Sequence, residues 1–330
     1  MAGFLLRRLL YLALLVVIST SVAYLLAATQ LNPRSRYEGR NPPPPEAVVN
    51  AALDAINMND QTPLVDRFER WVRDLAHGNL GQTIDNTPVN DEIDRRMWVS
   101  LRLMLIGSIV GTLLGVAAGA YGAVKQHRLS DRLLTVLSFV TLSIPVVVLA
   151  VLFKNAGIGV NNALGFTGDT KLLYTTGEIT PGLVPWSMDA MTNRLAHLVL
   201  PSLVLIAVAI AFYSRYQRNA MLDVLGSDFL RTARAKGLRR SQALIRHGLR
   251  TALIPMATFF AYEFALLFVG ATFTEKIFGW HGMGEYFVDS ITKNDVNSVA
   301  AVTLFVAMLV LIAGFLSDVV YAALDPRVRV

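Results

Sequence analysis

The chain has 330 residues, 54% of them hydrophobic and 16% charged, with a net charge of +6 and no cysteine. Soluble proteins carry roughly a quarter charged residues, so this composition points to a membrane protein, in which positive charge must be read from its place relative to the bilayer. The missing cysteine excludes disulfides, thiolate metal sites and cysteine nucleophiles.

A helix needs about 20 apolar residues to cross a bilayer core of roughly 30 Å. The first such run, Leu9 to Thr29, follows Arg7 and Arg8 and exceeds the 7 to 15 apolar residues typical of a signal peptide, so residues 1–30 read as a retained transmembrane helix. Residues 31–99 carry "NPPPPE" and then "TPLVDRFERWVRDLAHGNLG", where Leu64, Phe68, Trp71, Val72 and Leu75 recur at helical spacing and Gly78 marks a stop. This segment reads as a small outer subdomain. Residues 100–330 hold five further spans. The second, Leu103 to Gly122, has Gly107, Gly111, Gly115 and Gly119 at every fourth position, a face of small residues suited to close helix packing. The third, Leu133 to Phe153, contains Pro145, and the fourth, Leu195 to Phe212, contains His197 and Pro201; each proline removes a helical hydrogen bond and invites a kink. An insert, residues 155–194, separates them. The fifth span, Leu253 to Phe273, follows a long loop at 213–252 and contains Glu263; the sixth is Val299 to Ser317.

Loops rich in Lys and Arg stay in the cytoplasm. With the N-terminus inside, the inner segments hold 16 Lys and Arg against five carboxylates and the outer ones 12 against 18, which places both termini in the cytoplasm. Glu263 is the one carboxylate deep in a span, so it is expected to face the bundle interior or a wet cavity, or to be neutral. It is a candidate for the translocation path, or a structural carboxyl paired with Arg102. Catalytic chemistry is missing. No lysine follows the glycine that a phosphate-cradling P-loop requires, and His77, His127, His197, His247 and His281 are scattered with no shared helix face for a metal. The chain reads as neither enzyme nor cofactor protein.

The 213–252 loop contains "DFLRTARAKGLRRSQALIRHGLRTALIP", strongly cationic between two apolar runs. Ser227 suits a helix N-cap and Asp228 a helix N-terminus, Phe229, Leu230 and Ala233 offer an apolar stripe, and Gly237 supplies a stop, with a second helix starting near Ser241. A capped amphipathic helix ending at a glycine favours docking of a cytoplasmic protein over a lipid surface; nucleic acid is the weakest of the three readings.

This stretch resembles the EAA loop of ABC-transporter permeases of the dipeptide/oligopeptide/nickel class, B-type subunit. Ala233 and Gly237 match the motif core, while Arg231 and Thr232 replace its Glu-Ala and Arg250 stands where many relatives have proline. The similarity extends to "GFLLRRLLYLALLVVIS", "HGNLGQTI", "DRLLTVLSFVTLSIP", "FGWHGMGEYFVDSI", with His281 in place of a usual proline, and the terminal "DPRVRV". The insert 155–194 matches poorly and is expected to lie against an external binding protein or to form a cap. The resemblance implies an all-α, six-helix, type I ABC-importer permease fold. It also implies a second homologous permease, one fused or two ATP-binding subunits carrying ATP and Mg, an extracytoplasmic binding protein and surrounding lipid. In that family the helix before the glycine couples to the ATPase, which assigns the role to Asp228, Phe229, Leu230, Arg231, Thr232, Ala233, Arg234, Ala235, Lys236 and Gly237. Cargo in the class includes peptides, nickel chelates and haem, with di- and oligopeptides the expected substrate. The competing reading is a stand-alone secondary transporter or channel using Glu263.

Overall fold

The computed structural model describes residues 2–39, 41–166, 171–184 and 187–324; within these, the side chains of 2–6, 8, 240, 241, 246, 257, 258, 261–266, 269 and 322–324 are outside the description. The terminal "DPRVRV" motif therefore lies outside the described residues. The described chain is helical throughout: α1 (Ala2–Gln30), a 3-10 turn (Pro33–Tyr37), α2 (Glu46–Ala55), α3 (Leu64–Ala76), α4 (Val89–Val124), α5 (Leu129–Ser143), α6 (Val146–Ala163), α7 (Met188–Leu225), α8 (Asp228–Ala235), α9 (Arg240–Ala243), a π-helical turn (Leu244–Leu249), α10 (Arg250–Phe278), α11 (Met283–Thr292) and α12 (Val296–Leu324). Among the described residues, α1, α4, α6, α7 and α12 are long and apolar enough to cross a membrane. The expected fifth span falls in α10, where the side chain of Glu263 lies outside the described residues.

The third expected span is two helices. Proline disfavours helical backbone in the residue before it. Ile144 accordingly turns extended, with φ −90° and ψ 125°, α5 ends at Ser143, and α6 begins after Pro145. Pro201 and Pro255 instead sit inside unbroken α7 and α10. For α7 the reason is packing: it is the most buried of the candidate spans, and contacts with α5, α6 and α10 hold its path. α6 also continues to Ala163 and α7 to Leu225, so helix extends into the segments expected as insert and as loop.

Two compact units emerge, one comprising residues 3–100 and 281–311, the other essentially residues 101–280 with 312–330. In the first, Tyr24 of α1 stacks on Trp71 of α3 at 4.6 Å, with Phe68 5.9 Å from Trp71, and Leu53, Met58, Val296 and Ala300 complete an apolar core. Of the α3 positions at helical spacing, Leu64, Phe68, Trp71 and Leu75 face that core whereas Val72 is exposed. Asn297, 2% exposed, donates both amide protons, to the carbonyls of Ile56 and Gln82 at 2.9 Å each, tying the 31–99 segment to the start of α12. Asp85 pairs with Arg36 at 2.5 Å and Lys293 at 2.9 Å, and these two cations hold its carboxyl below the usual carboxylate range.

In the second unit the glycines of α4 face α7 in step. A Cβ at Gly107, Gly111 or Gly115 would come within 2.7, 2.5 and 2.7 Å of the Cβ atoms of Leu205, Ala209 and Tyr213, and one at Gly119 within 2.5 Å of the Ser214 carbonyl oxygen. Since both numbers rise by four together, the two helices run parallel at backbone contact.

Candidate functional site

The basic segment after α7 forms a short helix held by its ends and one face. Ser227 occupies the N-cap position of α8, but its hydroxyl donates backwards to the Val224 carbonyl at 2.6 Å instead of capping the helix. At the other end Gly237 adopts φ +91°, the Gly237 N–H donates to Arg234 O at 3.0 Å and the Leu238 N–H to Ala233 O at 3.3 Å. That pair of bonds is the Schellman closure, which requires a left-handed residue and favours glycine. A Cβ at Gly237 would meet no atom within 4 Å, so conformation alone selects glycine there.

Leu230 is buried with Ala123, Met221, Val224, Ala243 and Ala252, and Ala233, Leu238 and Leu244 pack around that cluster. α8 is thereby seated on α4, α7 and the turn leading into α10. Phe229 is not part of the seat. It is 44% exposed, and Asp228, Arg231, Thr232, Arg234, Ala235, Lys236 and Gly237 are exposed as well. The expected stripe of Phe229, Leu230 and Ala233 thus divides: two residues hold the helix and the aromatic ring is presented outwards among cations. Beside α8 lies a cavity of about 370 Å³ lined by Ala123, Leu225, Leu230 and Leu244 together with Gln126, Arg231 and Arg234. The second helix begins at Arg240 and passes through a π-helical turn into α10 without interruption.

The insert folds back on its own unit. Asn161 of α6 donates to the Leu173 carbonyl at 2.7 Å and accepts from the Leu172 and Leu173 N–H groups. Gly177 N–H donates to Phe278 O at 2.7 Å, and Glu178 pairs with Arg102 at 2.8 Å. His197, 3% exposed, stacks on Tyr174 with ring centres 4.1 Å apart. Its Nδ1 lies 2.8 Å from the Gly177 carbonyl, so Nδ1 carries the proton, and its Nε2 is 3.2 Å from the Thr180 hydroxyl. Lys154 of α6 donates to the Ile277 carbonyl at 2.6 Å, a cation at the C-terminal end of α10 where the helix dipole favours it. Among the described residues no three His, Cys, Asp or Glu side chains gather in a metal-binding group.

The sequence reading passed over the seam between α5 and α7. Arg218 donates to both oxygens of Asp131, at 2.6 and 2.8 Å, and the His127 N–H adds a third bond at 3.0 Å. Ser138 and Ser214 hydroxyls are 3.0 Å apart, and the Arg215 guanidinium lies 4.4 Å from the centre of the Phe139 ring. The available signals were the "DRLLTVLSFVTLSIP" stretch, which opens on Asp131, and the position of that carboxylate in a predominantly cationic loop.

Residues 111–330 match the family described as binding-protein-dependent transport system inner membrane component. The chain belongs to that family. It is an ABC-transporter permease of the dipeptide/oligopeptide/nickel class, B-type, and a multi-pass membrane protein. Among its relatives are the oligopeptide transport system permease protein OppB of Mycobacterium tuberculosis, 50% identical over the full length of both chains, and AppB of Bacillus subtilis, 32% identical over 84% of each. The dipeptide transport system permease protein DppB of Escherichia coli is 29% identical over 81% of each. The match to the Mycobacterium tuberculosis OppB runs the full length of both chains, the 155–194 segment included.

Proposed function

We propose that this permease is the membrane subunit of an ATP-driven importer of di- and oligopeptides, and that α8 is the element through which partner ATPase subunits drive it. The peptide assignment is supported by the names of the relatives at full or near-full coverage. The coupling role is carried by one observation: α8 buries Leu230 in its own bundle while presenting Phe229, Arg231, Arg234 and Lys236 outwards. A short helix that exposes an aromatic side chain together with several cations is what a protein groove with an acidic rim would grip.

In this reading both termini and α8 are cytoplasmic, and the 31–99 segment is extracytoplasmic. The chain forms the translocation path with a second homologous permease. One fused or two ATP-binding subunits bind ATP and Mg and perform all hydrolysis, and an extracytoplasmic binding protein delivers the peptide. Closure of the ATPase dimer shifts α8, and the bundle rearranges by hinge and shear motion.

Phe229→Asp tests the coupling role, because its side chain is exposed and the seat formed by Leu230 is left intact. The variant is expected to insert in the membrane and to fold as before, while co-purification of the ATPase falls at least tenfold. Wild-type recovery of the ATPase refutes the assignment. Since the chain contains no cysteine, Lys236→Cys gives a unique thiol, expected to resist impermeant reagents added outside intact cells.

A further inference from the structure

We propose that Asp131 and Arg218 are positioning residues that clamp α5 to α7, so that displacement of α8 reaches the chain break at Ile144 and Pro145 and is taken up there by α6. The inference rests on the reading of α8 as the receiver of force from the ATPase. α7 is unbroken from Met188 to Leu225, and only Gly226 and Ser227 separate it from α8. Any shift of α8 therefore acts on the end of a single long rod.

Alongside this rod, α5 is fastened at successive turns. The Asp131 side chain is 3% exposed and has both oxygens engaged by Arg218, with the His127 N–H as a third donor. Further along, Ser138 meets Ser214, and Phe139 lies under Arg215. Positions 131, 138 and 139 share one face of α5, and 218, 215 and 214 one face of α7. The helices run antiparallel along this seam, since the numbers rise on one as they fall on the other. α4 abuts the ion pair, as a Cβ at Gly122 would stand 3.1 Å from an Asp131 side-chain oxygen. Removing either partner of a buried, hydrogen-bonded ion pair leaves an uncompensated charge, so the seam has one favourable register and resists sliding.

Among the described residues the joint beyond it has no ion pair or side-chain hydrogen bond to another helix. Ile144 is extended, and only its N–H, donated to Thr141 O at 3.3 Å, continues the ladder before Pro145 removes the next donor. Hinges are a few such residues at element ends. A clamp followed by a hinge makes α5 a strut that moves with α7, while α6, tied to α10 by the Lys154 bond to the Ile277 carbonyl, changes its angle to α5 at the break.

The experiment uses the complete importer, nucleotide-free and trapped with ATP and vanadate, with spin labels on pairs of introduced cysteines. Leu129→Cys with Asp223→Cys spans the seam from exposed positions, and Leu137→Cys with Leu152→Cys spans the break. The expected result is an unchanged distance across the seam and a shifted one across the break. Asp131→Asn and Arg218→Gln are expected to abolish the shift across the break while the ATPase remains bound, a loss that simple stabilisation of the fold would not produce. A shift across the seam, no shift across the break, or a wild-type response in Asp131→Asn overturns the clamp. Should that variant fail to assemble, the two label pairs in the otherwise native chain decide alone. Phe229→Asp keeps the two readings apart: if it retains the ATPase, the coupling role of α8 fails, whereas its expected loss combined with a sliding seam sinks only the clamp.

Discussion

Replacing the α4 glycines by alanine sets two effects against each other. Alanine gains about 1 kcal/mol of helix propensity over glycine, and the gain is the same at every mid-helix position. At Gly119 the new Cβ would stand 2.5 Å from the Ser214 carbonyl oxygen, 2.8 Å from Gln217 Cβ and 2.9 Å from the Arg218 nitrogen, where ordinary contact starts at 3.4 Å. Two of these three atoms are backbone and cannot rotate away, so α4 must recede from α7 by about 0.9 Å. Overpacking typically costs about 1–3 kcal/mol, and losing backbone contact along the glycine face forfeits dispersion as well. The net expectation for Gly119→Ala is a loss of about 1–2 kcal/mol, roughly five- to thirtyfold in the folded-to-unfolded ratio. Gly159→Ala is the internal control, because in α6 its Cβ would meet nothing within 4 Å and only the propensity gain remains. Unfolding of the purified permease in mixed micelles, followed by tryptophan fluorescence against increasing SDS, should show Gly119→Ala unfolding earlier and Gly159→Ala at or beyond the wild-type midpoint. Equal midpoints for the two variants would refute the backbone-contact account of the α4–α7 interface.

Asn297→Ala leaves the Ile56 and Gln82 carbonyls without their shared donor; the buried Ile56 carbonyl left unpaired costs about 1–3 kcal/mol, and the 31–99 segment should become several-fold more sensitive to protease. His197→Ala removes the ring stacked on Tyr174 together with its bonds to Gly177 and Thr180, so tryptic cleavage at Lys171 should accelerate, with His197→Phe falling between it and wild type because the stack survives. The Asp85 carboxyl is held below its ordinary value of 3.8, so its stabilising contribution is fully present above that pH and is lost as pH falls through the lower folded-state value. The stability difference between wild type and Asp85→Asn should therefore be constant from pH 7 down to about 4, close below that, and shrink in high salt because the pair is partly exposed. A difference that closes between pH 5 and 7 would point to a different titrating group.

Much of this permease can be read from composition and period. Spans such as Leu9–Thr29 and Val299–Ser317 are legible because hydrocarbon demands an unbroken apolar length, a local property of the chain. The four-residue glycine period announces close packing for a similar reason: a bare backbone on one helix face has few other uses. The cationic segment ending at Gly237 is equally local, since the Schellman closure depends on a few consecutive residues.

Direction and partnership are not local. Phe229 and Leu230 are adjacent and about 100° apart on α8, so the period admits either as the inward residue; the positions of Ala123, Met221 and Ala252, distant in sequence, send Leu230 inwards and leave Phe229 exposed. The same prolyl constraint ends α5 before Pro145 but does not interrupt α7 at Pro201, because neighbouring helices hold α7 in its helical path. Asp131 and Arg218 are far apart in the chain and share no motif. Only the packing of α4 and α7 around them turns an isolated carboxylate and an unremarkable arginine into a buried ion pair, because a charge leaves water only where the fold supplies its counter-charge.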